Sequence, residues 1–599
     1  MNVRNPEHPS AVLRDLNRQR ERAELTDVIL EVEGKSFPCH RAVLACCSPY
    51  FRAMFTSSYA EARQDRVSIR DVSAVAMAAV LDYAYTGCLD TEPDQVQAVM
   101  SAAKLLQVDF VCHKAAEYMK AHLDVSNSAD VLMYADMLGD SGLLEASEKY
   151  IASRFREAVL QPSFLQLSLS QLLSLLDRDD LISQSEDDVA QAALKWIDFN
   201  QSERSQHLPA LCKILRHPFI SSEQREEIER RRPSSSDGAL VYSGNTNQRL
   251  GQKRTEVQIN LSRYFGADHK PYFPCYDPAT GAANSIDLPA GLDGQYVMSM
   301  AATPEGDLYL AANVNVGNRR QGGQQASEIK KKFYLYNHLL GTWELRSVMI
   351  TKWTSFLPRC ELVALNGYIY AIGGDQEKGM AERYDPSRDE WTSVPPFPHP
   401  VSLRSGLCAM ALNDSIYVIR KEGCHCFSTA ENRWDRIADM VEPAWFPRAV
   451  TYRGRIYCVN SIHSGVRPPT YVVAYDPLDG VWKRTGSGEP IVYDNGTQMS
   501  QEGTHKSTLL THEDTLYLFS TDIIHSLNSY SYWEESPRPS RSYVHQYLPE
   551  TDAWVAVTQE NKRRLLPPKL CRFTLTALMA ARMFPSWLGY DSYLDRGDL

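Results

Sequence analysis

"YIYAIGGDQEKGMAERYDPSRDEWTSV", Tyr368–Val394, decides the fold of the C-terminal half of the chain. It opens on a β-rich run, passes a Gly-Gly pair, reaches a Tyr followed by Asp-Pro, and closes on a Trp. Paler versions recur. An aromatic residue stands seven positions before a Trp at Tyr336/Trp343, Tyr384/Trp391, Phe427/Trp434, Tyr475/Trp482 and Tyr547/Trp554, and the Trp residues follow one another at 48, 43, 48 and 72 residues. Ahead of each pair runs an apolar-Tyr-apolar segment: "DLYLA", "YIYAI", "SIYVI", "RIYCV" and "TLYLF". Five of the ten Trp residues share this register, which marks a structural repeat.

Each unit reads as a short antiparallel sheet with two apolar faces, stable only when stacked on its neighbours. Pro after Asp, as in "YDPSRDEW" and "YDPLDGVW", sets φ at the second position of a tight turn. The Trp then begins the next strand and packs between units. Gly373-Gly374 permits close backbone approach. A first unit around "FPCYDPATGAANSIDL" lacks the Trp and brings the count to six. The segment Pro568–Phe584 is expected to return to unit one and close the ring, which removes exposed strand edges. The 72-residue step predicts an insertion around residues 486–507. No catalytic residue recurs, so the repeat serves architecture and function falls to the loops.

The chain has 599 residues, enough for two to four domains, with 43% hydrophobic and 23% charged residues. Lys and Arg number 63 against 74 Asp and Glu, a net charge of −11. That balance argues against general nucleic-acid binding, which requires basic charge to displace counterions. The 13 cysteines are odd in number and irregularly spaced, Cys46-Cys47 are adjacent, and no secretory leader precedes them. Reduced thiols in a cytoplasmic or nuclear protein are the expectation. No apolar run is long enough to cross a bilayer.

The chain changes character near "RRRPSSSDGALVYSGNTNQRLGQ", where the composition places a linker at residues 231–252. Before it the patterning is helical. "LTDVILEVEGKSFPCH" alternates around a hairpin at Glu33-Gly34-Lys35, a short strand follows in "SYAEARQDRVSIRDVS", and helices carry on to about residue 125. An all-helical section spans 126–230. In it Val189, Ala193, Trp196 and Ile197 form one buried stripe, with Glu186, Asp187 and Asp188 at the helix N-terminus.

The "IYAIGG…YDP…EW" pattern resembles Kelch repeats of a β-propeller, although only Tyr368–Trp391 is a full match and "IYVIRK", "IYCVNS" and "LYLFST" replace Gly-Gly elsewhere. "LTDVILEVEGKSFPCHRAVLACCSPYFRAMF" resembles the start of a BTB domain, with Asp27, the hairpin, His40, Ser48, Tyr50, Phe51 and Phe55 in the family's order. The helical section resembles the BACK domain. The implied fold is multidomain: an α/β BTB domain with an N-terminal dimerisation helix over 1–125, an all-α BACK domain over 126–230, and an all-β six-bladed Kelch propeller over 253–599.

This resemblance to BTB–BACK–Kelch proteins implies a substrate adaptor of a cullin-3 ubiquitin ligase. BTB would homodimerise and hold the cullin, and the propeller would capture a protein substrate, with no bond chemistry and no cofactor. The family's hydrophobic-x-Glu cullin motif falls on Tyr59-Ala60-Glu61, with Tyr bulkier than the usual Met or Leu. In "AVLRDLNRQRERAEL" the residues Val12, Leu13 and Leu16 share a helix face, and the resemblance makes that face a dimer contact. Arg359, Arg404 and Arg448 precede the Tyr of successive apolar-Tyr strands by 11, 13 and 9 residues. At equivalent positions of a propeller they would form an arc able to grip an acidic or phosphorylated degron. The bland alternative is bonding to blade carbonyls. Asp27 and His40 read as buried polar residues of the core, not catalytic groups. Cys424-His425-Cys426 reads as strand alternation, not a metal site. A rival functional class is a ligase-independent scaffold that binds actin or another cytoskeletal partner.

Overall fold

In the computed structural model the described residues are 5, 7–56, 63–232, 240–245, 247–252, 255–261, 264–265, 271–278, 283–289, 292, 296–316, 328–351, 359–374, 378–401, 406–460, 462–464, 470–488, 491, 503–524, 539–565 and 578–583. They form two compact units, Met1–Gln248 and Arg249–Leu599.

In the first unit, helix α1 (His8–Glu21) precedes strands β1 (Val28–Val32) and β2 (Lys35–Cys39). Glu33 and Gly34 both take positive φ (47° and 77°), the backbone of a two-residue hairpin whose twist matches its strands. Helices α2 (Arg41–Cys47) and α3 (Pro49–Thr56) follow, then β3 (Arg66–Ser68), which pairs parallel to β1. Helix α4 (Ala74–Thr86) starts on the Ser73 cap and stops at Gly87, whose left-handed φ of 71° breaks the helix. A core of Leu30, Val32, Val67, Met77, Val80 and Leu81 binds the small sheet to the helices.

The rest of this unit is helical. Helix Leu169–Asp177 opens with a Ser168/Gln171 capping box, and Glu186–Phe199 with Ser185/Asp188. Val189, Ala193, Trp196 and Ile197 are buried, as their spacing requires. The stretch read as linker is partly docked on these helices. Ser243 N–H donates to Leu215 O (3.1 Å), Arg216 Nη1 donates to Asn247 O (3.0 Å), and the His217 and Tyr242 rings lie 4.6 Å apart.

The second unit holds six antiparallel sheets of at least four strands, the blades of a propeller. Blade one combines Leu578–Met583 with Thr255–Asn260, Pro271–Tyr276 and Ala283–Asp287. The inner strands of blades two to six are Tyr296–Ala302, Arg359–Leu365, Leu407–Leu412, Pro447–Tyr452 and Gly503–His512. Inner strands of neighbouring blades run side by side all the way round, and Leu578–Met583 touches both Gly503–His512 and Tyr296–Ala302. The returning C-terminal strand therefore closes the ring. Blade six differs from the expected insertion at 486–507, because residues 503–507 are already strand and its first three strands run to ten residues each. Extra length also lies between Ile524 and Pro539.

The repeat explains how blades adhere. Each aromatic seven residues before a Trp is its direct partner across the hairpin, with ring centroids 5.0–5.3 Å apart. Each indole N–H then reaches back to the exit of the preceding blade. Trp343 donates to Asp287 O (2.6 Å), Trp391 to Ser347 O (3.0 Å), Trp434 to Pro395 O (2.8 Å), Trp482 to Ala438 O (2.9 Å) and Trp554 to Thr485 Oγ1 (2.8 Å). In blades three and six the Tyr hydroxyl donates to Asp389 or Asp552 (2.7 and 2.8 Å), and those carboxylates accept backbone N–H groups of the preceding exit, at Ser347 and at Gly486 and Ser487. Gly374 turns tightly against Lys378, where a Cβ would collide with the Lys378 carbonyl, and Gly379 lies against the carbonyls of Phe397 and His399.

Blade one has no such Trp. Its seam with blade six is tied instead by the His512 Nδ1 to Glu256 Oε1 contact (2.6 Å) and by an apolar cluster of Tyr276, Leu510, Phe519, Val544 and Leu565. The staples carry a stability expectation. Trp482→Phe keeps most of the apolar contact but orphans a blade-four carbonyl, which costs about 1–3 kcal/mol. Trp482→Ala also opens a cavity and costs about 3–5 kcal/mol. Denaturant unfolding of the full chain checks the order; an unchanged stability in Trp482→Phe would show that the indole N–H contributes nothing.

Candidate functional site

The residues singled out by the sequence fall in two places, the α/β region and the ring of blades. In the α/β region Leu16 of α1 packs against Val43, Ala84 and Tyr85, and Arg20 stacks on Tyr85 (5.0 Å) while bonding Asp82 (2.6 Å). The helix is thus fastened to its own unit by Leu16 and Arg20. Val12 and Leu13, one turn earlier, remain 44% and 37% exposed. The three residues grouped by spacing divide between an inward anchor and an outward apolar pair.

His40 is buried, and its Nδ1 lies 2.9 Å from the Tyr85 hydroxyl, which also accepts the His40 backbone N–H (2.8 Å). Asp27 differs from expectation: it is exposed, not buried. Its Oδ1 accepts the Arg41 N–H (2.7 Å), so it caps α2 from outside the helix, where a carboxylate also meets the positive end of the helix dipole. Ser48 caps α3 through the Phe51 N–H and donates to Leu106 O. Tyr59 and Glu61 lie outside the described residues, between α3 and β3.

On the ring, Arg359 begins the inner strand of blade three opposite Gly374, with its side chain outside the description; Arg404 lies outside the described residues altogether. Arg448 is the second residue of the inner strand of blade five. Its Nη1 stands 3.7 Å from Glu361 Oε1 on blade three. Ser299 of blade two donates to Glu361 Oε2 (2.9 Å) and accepts the Leu362 N–H (3.0 Å). Glu361 thus gathers inner strands of three blades. Burial and then the Glu361 charge push the nearby Cys408 thiol up to about 11, partly offset by Arg448, so it stays protonated at neutral pH. Sequence reasoning missed Glu361 and Ser299. The available signal was that residue 361 shares a strand face with 359.

Two other constellations invite a chemical reading. In the strand Cys424–Ser428, Cys424 packs towards blade five while His425 faces Phe397 and His399 (5.4 and 4.9 Å between rings). The three side chains do not converge, and no metal-ligating group of three His, Cys, Asp or Glu residues exists among the described residues. In blade six, His505 Nδ1 lies 2.8 Å from Asp522 Oδ1, and Ser507 Oγ lies 3.1 Å from His505 Nε2 and 3.0 Å from Ser520 Oγ. The order resembles a nucleophile relay. Ser507 is wholly buried, however, so no substrate carbonyl reaches it, and the set works as a polar ladder inside the sheet stack. Among the described residues no helix is long and apolar enough to cross a membrane.

Comparison with known proteins agrees with this layout. Residues 16–123 match the BTB/POZ domain, residues 128–229 the BACK (BTB And C-terminal Kelch) domain, and residues 357–398 the Kelch motif. The chain is 31% identical over 501 residues to human Kelch repeat and BTB domain-containing protein 8, covering 80% of each. It is 30% identical over 577 residues to protein 8 of the same name series from Danio rerio, covering 93% of this chain and 91% of the relative. Against human Kelch repeat and BTB domain-containing protein 2 it is 29% identical over 513 residues, 80% of each. With the α/β unit, the helical region and six stapled blades in one chain, the protein belongs to the BTB–BACK–Kelch family of Kelch repeat and BTB domain-containing proteins.

Proposed function

We propose that the chain is a substrate-recognition adaptor of a cullin-3 RING ubiquitin ligase, working in the cytoplasm or nucleus. The observation that carries this reading is the order of BTB, BACK and Kelch matches along one chain. The BTB part, residues 1–125, holds the cullin through Tyr59 and Glu61. The BACK part, 126–230, extends that contact, 231–252 connects, and the propeller, 253–599, captures a protein substrate. The adaptor makes and breaks no bond. It raises the local concentration of substrate beside the transferring enzyme. Dimerisation through α1 doubles the number of propellers per complex, and exposed Val12 and Leu13 are the apolar side chains available for it.

Three measurements test the parts. In a pull-down, wild-type protein binds cullin-3 and the folded Glu61→Lys variant does not. No wild-type binding would favour a scaffold that works without the ligase, and actin co-sedimentation would then be the next assay. By light scattering, Val12→Glu with Leu13→Glu shifts the chain from dimer to monomer without unfolding it, because both side chains already face outward. An unchanged mass would rule out this helix as the dimer contact.

Capture by Arg359, Arg404 and Arg448 predicts that replacing all three with Glu abolishes substrate binding while the propeller stays folded. Since Arg448 lies beside Glu361, its replacement also juxtaposes two carboxylates. Arg359→Glu with Arg404→Glu is therefore the control, and retained binding in both variants would remove the arginines from the recognition surface.

A further inference from the structure

Blades three and four meet around a basic cluster that the repeat does not require. In an antiparallel sheet the end of the second strand, the start of the third and the end of the fourth lie at one edge. In blade four these positions hold Arg420, His425 and Arg436. The connection leaving blade three adds His399, whose ring meets that of His425 edge to face at 4.9 Å. Arg420 lies over Phe397 (5.3 Å) and donates Nη1 to Pro400 O (3.0 Å).

The two acids beside the cluster are exposed, whereas its Arg420 and His425 are buried. Arg420 is only 7% exposed and His425 only 4%, and among the described residues Arg420 Nε and His425 Nδ1 are buried without a hydrogen-bond partner. Of the acids, Asp439 binds Arg436 at the exposed rim (2.8 Å), and Glu422 in the turn acts on Arg420. Lys421 is turned to Trp445. Burial and the two arginines hold both imidazoles below the ordinary histidine range, His425 down to about 4, while burial keeps the Cys424 thiol protonated. Both rings are thus neutral at pH 7 in the field of two guanidinium groups. Gly423 supplies the turn between Arg420 and His425 with a φ of 142°, a backbone that side-chain-bearing residues rarely adopt.

We infer that the blade three–four junction is a binding site for one anionic oxygen group, a carboxylate or phosphate, carried by the protein segment that the propeller captures. The exposed Arg436 and His399 meet the group first, and Arg420 supplies the buried charge behind them. The incoming anion opposes the arginines' effect on the imidazoles, so binding takes up a proton and tightens as pH falls below the ordinary histidine range. The inference deepens the adaptor reading by naming substrate chemistry, yet its test needs no ligase. Lost cullin-3 binding would leave it standing, and a failed anion test would leave cullin binding untouched.

The test uses the full chain with 13C-labelled histidine, titrated separately with sodium phosphate and sodium acetate at constant ionic strength. His399 and His425 ring resonances should move saturably towards the imidazolium position. A response to phosphate alone assigns a phosphate group, and a response to acetate as well assigns a carboxylate-accepting site. His399→Gln and Arg436→Gln each weaken binding about tenfold, and both retain His425 as reporter. No saturable movement, equal movement with chloride, or unchanged affinity in both variants would overturn the inference.

Discussion

The propeller depends on one repeated interaction: an indole N–H that leaves its own sheet and bonds the chain where it exits the sheet before. A four-stranded blade has two apolar faces and cannot hide either alone. Stacking buries the faces but does not by itself fix how far one blade rotates on the next. The Trp does fix it, because a hydrogen bond is directional where apolar contact is not. Five of the six junctions use this bond, and at two of them a Tyr-Asp pair repeats the same backward reach. The loops at the strand ends inherit their positions from it, and with them whatever the ring binds.

The aromatic half of this device was legible because it is written in side chains. A Tyr or Phe seven residues before a Trp is a hairpin pair viewed along the chain. The accepting half was not legible. Its partners are Asp287, Ser347, Pro395, Ala438 and Thr485, and four of the five accept through the backbone carbonyl, which every residue possesses. A bond to a carbonyl leaves no mark in the sequence. The same limit hid Asp27, whose capping partner is a backbone N–H fourteen residues on.

Elsewhere the missing information was tertiary. Periodicity groups Val12, Leu13 and Leu16 on one helix face, but the length of that face that finds a partner depends on where Ala84 and Tyr85 end. The arginines were expected at equivalent positions, yet Arg359 stands six residues and Arg448 four residues before the end of its inner strand, so Arg448 matches Glu361 in register, and the carboxylate beside it comes from a blade two places away. The basic cluster of blades three and four was hidden in a Cys-His-Cys triplet that suggests metal. Strand alternation turns the histidine to the neighbour that makes it interesting. In each case the company of a residue was chosen by the assembly, beyond the reach of the local pattern.

Blade one is finished by the strand Leu578–Met583, laid against Thr255–Asn260 more than three hundred positions earlier. During synthesis the early blades emerge with an unpaired edge and must wait for residues 578–583 before the circle can shut. A ribosome that stops short of this strand therefore delivers an open ring with a sticky edge, not a slightly smaller propeller. The propeller is consequently intolerant of any truncation that removes residues 578–583, however many blades stand before the cut.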